Sequence, residues 1–434
     1  MSELKRHMGL FSLTLYGVGL TLGAGIYVLI GEAAGFAGNS MWISFVLGAI
    51  VAIFAGLSYA ELSALFPKAA AEYVFVKNAF KSEFIGFQVG WLTAITSMIV
   101  GATVALGFGG YFSQFVDIPI VLSAVLLLVV LSIISFIGIK QSAWANTIFA
   151  LVTIAGLGII VFLGITIDVK EPLDYFDTPN GVTGIILAFV LIFFAFIGFE
   201  DMANVAEEVK KPKKTLPRAI ILSILITGII YILVSISAVR ILNWEELSQS
   251  AAPLADIATR GLGNNGGITM SVIALFATAS TVLITLVAGA RILYGMAKSN
   301  SLPSIFAKIH PKTGTPWIAV IGILVTSVVF ALIGDIVIVA NIVVFAIVIT
   351  FAMINLSVIL LRYVKSEDER PFRVPLNVGK FPILPLFGFI ITVYMAMQFE
   401  LEVILVGVGI IGSGCVFYIL YNRQKNKNHS ICDE

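Results

Sequence analysis

The chain has 434 residues, 59% of them hydrophobic and only 12% charged, with a mean hydropathy of +1.04 and a net charge of +1. A soluble domain carries about 25% charged residues, so this much apolar surface needs lipid as its solvent. The near-neutral balance gives nucleic acid no electrostatic footing, and two cysteines, Cys415 and Cys432, make neither a disulfide framework nor a metal site.

About 20 apolar residues in a helix cross the hydrocarbon core. In chain order such segments fall at about 9–33, 40–66, 84–112, 118–138, 142–166, 181–207, 217–241, 268–298, 316–333, 337–363, 382–399 and 401–421. The sequence therefore predicts an all-α polytopic membrane protein with twelve transmembrane helices in a single membrane domain. Strand alternation is absent, which disfavours a membrane barrel. The first segment follows Lys5 and Arg6 but is too long for the core of a signal peptide, so it reads as a permanent span. With the N-terminus cytoplasmic, 22 of the 26 basic residues fall in inner loops and tails. Only Lys170, Arg240 and Arg260 fall outside, and Arg291 lies within a helix, snorkelling towards the cytoplasmic interface. That bias puts both termini in the cytoplasm. The outer loops are acidic, with Asp168, Glu171, Asp174 and Asp177 in one and Glu245, Glu246 and Asp256 in another, which reads as a solvated face.

Two segments look interrupted. The first contains Gly17, Gly19, Gly23 and Gly25 within Tyr16-Gly-Val-Gly-Leu-Thr-Leu-Gly-Ala-Gly-Ile26. Glycine lets the backbone leave helical angles and admits a ligand closely, and unwound backbone at mid-bilayer survives only where it lines a cavity. Close helix packing is the alternative, since Gly19 and Gly23 form a GxxxG pair. In the sixth, Phe193-Phe-Ala-Phe-Ile-Gly-Phe199 runs straight into Glu200 and Asp201, followed by Asn204, Glu207 and Glu208. Adjacent carboxylates after an apolar run are costly unless they face water or a polar cavity. Either the helix is interrupted there or it ends near Gly198. Interrupted helices five apart match a five-plus-five inverted repeat with a midplane site. Half-helix N-termini suit a carboxylate and unwound carbonyls suit an ammonium group. An α-amino acid carries both.

Four stretches, in order, resemble the amino acid–polyamine–organocation superfamily of transporters, and most its prokaryotic amino acid permeases. They are Gly23-Ala-Gly-Ile26; Tyr59-Ala-Glu-Leu62 with Phe66-Pro67 and Glu72-Tyr73; Phe194-Ala-Phe-Ile-Gly-Phe-Glu200 with Ala206-Glu-Glu-Val-Lys-Lys-Pro212 and Leu216-Pro-Arg218; and Ala290-Arg-Ile-Leu293 with Met296-Ala297 and Leu302-Pro303. The resemblance implies the leucine-transporter fold: repeats at 9–166 and 181–363, and two peripheral helices at 382–421. It implies that the amides at Ala24 and Gly25 hold the substrate carboxylate, that carbonyls near Leu20, Thr21, Phe194, Ala195 and Ile197 hold its amino group, that Gly23 belongs to the same substrate site, and that Phe194 gates it. Ser280 and Thr281, with carbonyls near Gly19 and Leu22, match the cation site of sodium-coupled relatives, although such hydroxyls also serve helix packing. The chain departs from the pattern at Thr153, where some proton-coupled relatives carry lysine, and at Lys68-Ala-Ala-Ala-Glu72, where glycines are usual.

The expectation is a secondary transporter in the cell membrane, working by alternating access as a proton symporter or exchanger. Its partners are an amino acid, the bilayer and a coupling proton or sodium ion, with no cofactor, metal or nucleic acid. A neutral, small-to-medium apolar substrate is expected, because 91–110, 268–298 and 337–360 contain no Asp or Glu; a carboxylate of the Glu200–Asp201 pair reaching inward is the alternative. The alternatives are a carrier for another organic cation or polyamine, a non-transporting amino acid sensor, a channel or a membrane-embedded enzyme. For the last the spans offer no intramembrane His/Cys cluster. Glu61 reads as an interfacial structural acid or a proton relay. A large side chain at Gly25 is expected to fill the substrate's place without disturbing the fold.

Overall fold

The computed structural model describes residues 8–67, 71–137, 143–167, 173–298, 302–364 and 370–432. Expectations resting on Lys5, Arg6, Lys68, Lys140, Asp168, Lys170, Glu171 and Lys365 lie outside them. Among the described residues eight helical stretches are long and apolar enough to cross a bilayer, and four further apolar helices are shorter.

The helices are α1 (Leu10–Thr21), α2 (Gly25–Ala37), α3 (Met41–Leu65), α4 (Ala71–Phe80), α5 (Glu83–Phe112), α6 (Ile120–Ile137), α7 (Ala143–Thr166) and α8 (Gly181–Ile192). They continue as α9 (Pro212–Ile241), α10 (Trp244–Gln249), α11 (Pro253–Leu262), α12 (Asn264–Lys298), α13 (Trp317–Ala331), α14 (Ile336–Val364), α15 (Ile383–Ala396) and α16 (Leu401–Cys432). The predicted segment 9–33 is split between α1 and α2. The predicted 181–207 is helical only to Ile192, then passes through 3-10 turns at Phe193–Phe196, Phe199–Ala203 and Ala206–Glu208. The short α4, α10 and α11 lie in connections that the sequence reading left without structure.

Helix α3 packs along α9, and α5 along α12 and α14. The most enclosed spans are α5 and α14, with 72% and 67% of their apolar windows buried, against 22% for Leu401–Tyr421. The first two therefore line the interior and the last sits at the edge. Exposed apolar stripes run at helical spacing: Leu122, Leu126, Val130, Ile133 and Ile137 on α6, and Ile321, Val325, Val329 and Leu332 on and just after α13. Continuous stripes of this kind are what water does not tolerate and hydrocarbon does.

Two devices tie separate segments together. Met8 pairs with Val209, its N–H donating to the Glu208 carbonyl at 3.1 Å while Lys210 N–H donates to the Met8 carbonyl at 2.9 Å. The start of the first helix is thus tied to the end of the sixth segment. The second device is ionic. Glu61, fully buried on α3, receives Arg362 through Nε at 2.8 Å and Nη2 at 2.6 Å, the Val374 N–H at 2.8 Å, and the Arg370 guanidinium. Burial lowers the Arg370 pKa and the Glu61 charge opposes that shift. This pins the two-stranded turn of Asn377–Val378 and Phe381–Pro382, which links α14 to α15, against α3. Glu61 is therefore a structural acid.

Candidate functional site

The first helix breaks at Leu22-Gly23-Ala24. The Leu22 N–H still reaches the Val18 carbonyl at 2.7 Å, and the Val28 N–H reaches the Ala24 carbonyl at 3.0 Å. Between them α2 begins afresh, and the first N–H groups of a helix have no intrahelical acceptor. The glycines are here for close approach: none of Gly17, Gly19, Gly23 and Gly25 has positive φ. A Cβ on Gly25 would stand 2.6 Å from Ala195 Cα, so the two interrupted segments touch backbone to backbone.

The sixth segment breaks at Ile197-Gly198. Gly198 has φ 124°, a conformation that strains any L side chain. A Cβ there would also lie 2.9 Å from the Leu20 carbonyl oxygen. Glu200 folds back to accept the Gly198 N–H at 2.8 Å, which stabilises the turn. Tyr231, buried on α9, bridges the two breaks: its hydroxyl oxygen is 2.6 Å from the Thr21 carbonyl and 2.8 Å from the Ala195 carbonyl. Tyr27 and Tyr111 extend this pattern outward, with Tyr27 Oη donating to the Thr153 carbonyl and Tyr111 Oη to the Tyr27 carbonyl, each at 2.8 Å.

A cavity opens between the breaks, with about 100 Å³ accessible to the centre of a water-sized sphere. One water needs roughly 10–15 Å³ on that measure, so there is room for a small organic molecule. All of Leu20, Thr21, Gly23, Ala24, Gly25, Phe194, Ala195 and Ile197 line it, as do Gly19 and Thr281. Leu22, Thr153 and Ser280 are outside the lining. Thr153 is buried on α7 and engaged through its carbonyl, and the hydroxyls of Ser280 and Thr281 both donate to the Ala277 carbonyl of their own helix, at 2.9 and 3.0 Å.

The sequence reading did not place Tyr59 and Glu72, nor the hydroxyls of Thr93, Thr96, Ser97, Thr285 and Thr350, all of which line the cavity. Tyr59 and Glu72 belong to the second stretch that resembles the family, but nothing in their spacing says that α4 turns Glu72 inward. The carboxylates that the helices lack come from elsewhere: Glu72, Glu200 and Asp201 line one cavity that no described Lys, Arg or His lines. Tyr59 Oη donates to Glu72 Oε1 at 3.3 Å, and Asn204 Oδ1 accepts the Ala71 N–H at 2.9 Å. Burial pushes the Glu72 carboxyl up to about 7, with the Asp201 charge adding to the rise.

The sequence profile of the amino acid permease family matches residues 8–421. The chain belongs to this family. A branched-chain amino acid permease of Bacillus subtilis (strain 168) is 28% identical, over 98% of this chain and 95% of its own length. The methylthioribose transporter of the same organism is 29% identical, over 97% and 94%. The mouse cationic amino acid transporter 4 is 29% identical over 84% of this chain and 61% of its own length. This amino acid permease is thus a relative of transporters whose named cargoes differ, on a chain of apolar helices suited to crossing a membrane repeatedly.

Proposed function

We propose that the protein is a secondary transporter that carries an α-amino acid across the cell membrane by alternating access. The observation that carries this reading is the cavity between the two helix breaks. The backbone amides of Gly23, Ala24 and Gly25 at the start of α2 suit a carboxylate, and the carbonyl-rich faces at Leu20, Thr21, Phe194, Ala195 and Ile197 suit an ammonium group. Phe194 gates the bound substrate.

In this reading both termini are cytoplasmic and the four shorter apolar helices also span, giving twelve crossings. Residues 9–166 and 181–363 are inverted repeats, and 382–421 form two peripheral helices. The preferred side chain is neutral, because Val100, Val104, Ile284 and Ile347 supply an apolar wall. The second reading, an organic-cation carrier, is favoured by the three lining carboxylates. Transport runs as proton symport or as exchange, since Thr153 offers no charge and the hydroxyls bring none to a sodium site.

The test is uptake by purified protein in liposomes, with alanine, leucine, phenylalanine, lysine and spermidine as cargo, and pH gradient, sodium and internal amino acid varied separately. Saturable uptake of neutral amino acids is expected. Binding without uptake would replace the transporter by a sensor, and preference for lysine or spermidine would replace the substrate.

A further inference from the structure

Helix α4 has two unlike faces. On the outer one, Lys77 pairs with Glu83, and Tyr73 Oη donates to Glu83 at 2.6 Å, so charge is balanced there. On the inner one stands Glu72, 4% exposed, facing the cavity with Glu200, which is 6% exposed, and Asp201. Three carboxylates without a lining cation cannot all stay ionised cheaply, because burial and mutual repulsion both penalise the charged form.

The three differ in what holds them. Glu200 is engaged by the Gly198 N–H of its own turn, a bond that fixes the helix break. Asp201 is hydrogen-bonded by Asn204 three residues on. Glu72 sits on a separate short helix, takes a long bond of 3.3 Å from Tyr59 and shares Asn204 as a hydrogen-bond partner with Asp201. Its carboxyl, raised to about 7 chiefly by burial, changes charge within the physiological range. The groups that face it are Tyr59 from α3 and Glu200, Asp201 and Asn204 from the sixth segment, while α5 and α14 turn threonine and apolar side chains to the cavity. Elsewhere, Glu61 is committed to Arg362 and Arg370.

Position makes that charge consequential. The Ala71 N–H holds Asn204 Oδ1, so the first turn of α4 is hinged to the inner half of the sixth segment. Ionised, Glu72 sets a further like charge beside Glu200 and Asp201 across this contact; neutral, it does not.

We propose that Glu72 is the site at which the coupling proton is taken up and released during transport, with the neighbouring Glu200 and Asp201 carboxyls biasing its release. The step is simple in balance: the carboxylate takes one proton from water on one side and returns it to water on the other. This rests on the transporter reading above, and the experiment separates the two.

Purified protein in liposomes is given radiolabelled leucine or alanine in two modes: net uptake driven by an inward proton gradient, with a trapped pH dye reporting the lumen, and exchange against internal amino acid. Wild type is expected to show gradient-stimulated uptake with lumen acidification. Glu72→Gln should lose both, with exchange falling less than gradient-driven uptake. If that variant is inactive in both modes, Glu72→Asp decides: a shifted pH midpoint of gradient-driven uptake supports the proposal, and an unchanged one overturns it. Gradient-driven accumulation by Glu72→Gln overturns it too, as does a wild type that exchanges amino acids but carries no proton; in those cases the transporter reading stands. A wild type that moves no amino acid in either mode brings down that reading and the proposal with it.

Discussion

Replacing Gly25 by alanine tests the contact on which the site is built. The added Cβ would lie 2.6 Å from Ala195 Cα, 3.0 Å from Ala195 Cβ and 3.3 Å from Ala195 N. Carbon atoms rest at about 3.5–4.0 Å, so the two segments must part by roughly 1 Å. The obstacle is backbone, and no rotamer change relieves it. Tyr231 holds Ala195 and Thr21 to a common hydroxyl, so the displacement also loads that bridge. Overpacking of this kind costs about 1–3 kcal/mol, which corresponds to about 5–150-fold in an equilibrium constant. The sequence reading expected Leu at this position to block the substrate and spare the fold; with backbone this close, Leu disrupts both, and Ala is the informative change. The assay is amino acid affinity and thermal stability of the purified protein, with Gly409→Ala as control, since nothing lies within 4 Å of a Cβ there. A Gly25→Ala protein with wild-type affinity and stability would refute the argument.

Further changes probe the supporting shell. Tyr231→Phe leaves the Thr21 and Ala195 carbonyls without their shared donor, a loss of about 1–3 kcal/mol; a lower melting temperature and altered turnover are expected, and an unchanged melting curve counts against the bridge. Glu61→Gln leaves Arg362 and Arg370 buried beside a neutral amide, costing about 3–5 kcal/mol; folded yield should fall while the pH profile of the folded fraction stays put. Because the folded protein holds the Glu72 proton up to about 7, the stability this group contributes is complete below its ordinary carboxyl range and lost as pH rises through about 7. Melting curves at stepped pH should show that decline in wild type and a smaller one in Glu72→Gln. Thr153→Lys sets an ammonium beside the first helix, and transport or its pH dependence should change strongly; a wild-type profile would put position 153 outside the coupling machinery.

Helix positions were legible because apolar length alone specifies a segment in lipid, and even the interrupted first segment showed in its glycines. The physical use of those glycines was not. Sequence suggests unusual torsions, whereas at Gly25 the ordinary φ range and the 2.6 Å approach to Ala195 show that the missing methyl matters more than the free dihedral. Gly198 is the opposite case, with φ 124° at the residue where the apolar run meets two acids. Long-range partners were hidden altogether. No local pattern joins Tyr231 to Thr21, 210 positions away, or Glu61 to Arg362, 301 positions away. Glu72 escaped notice as a cavity residue because α4 is short, polar on one side and embedded in a connection, so its inward turn depends on packing against α5 and α14.

On the transporter reading, the bridge through Tyr231 gives such a site a way to move. A phenol has one hydrogen and here meets two carbonyls within hydrogen-bond distance, so it satisfies one fully at any moment. The competing acceptors belong to different helices, and shifting the hydrogen from Thr21 to Ala195 changes which interrupted segment is held to α9. A net hydrogen bond is worth about 1 kcal/mol, so the choice between acceptors is nearly balanced. On the transporter reading, a substrate ammonium brings three donors to the same carbonyl-rich space and supplies whichever acceptor the tyrosine leaves. Its binding energy then bears differently on the two arrangements, which is the condition for a ligand to shift a conformational equilibrium at all. A rigidly satisfied break would bind as well and move less.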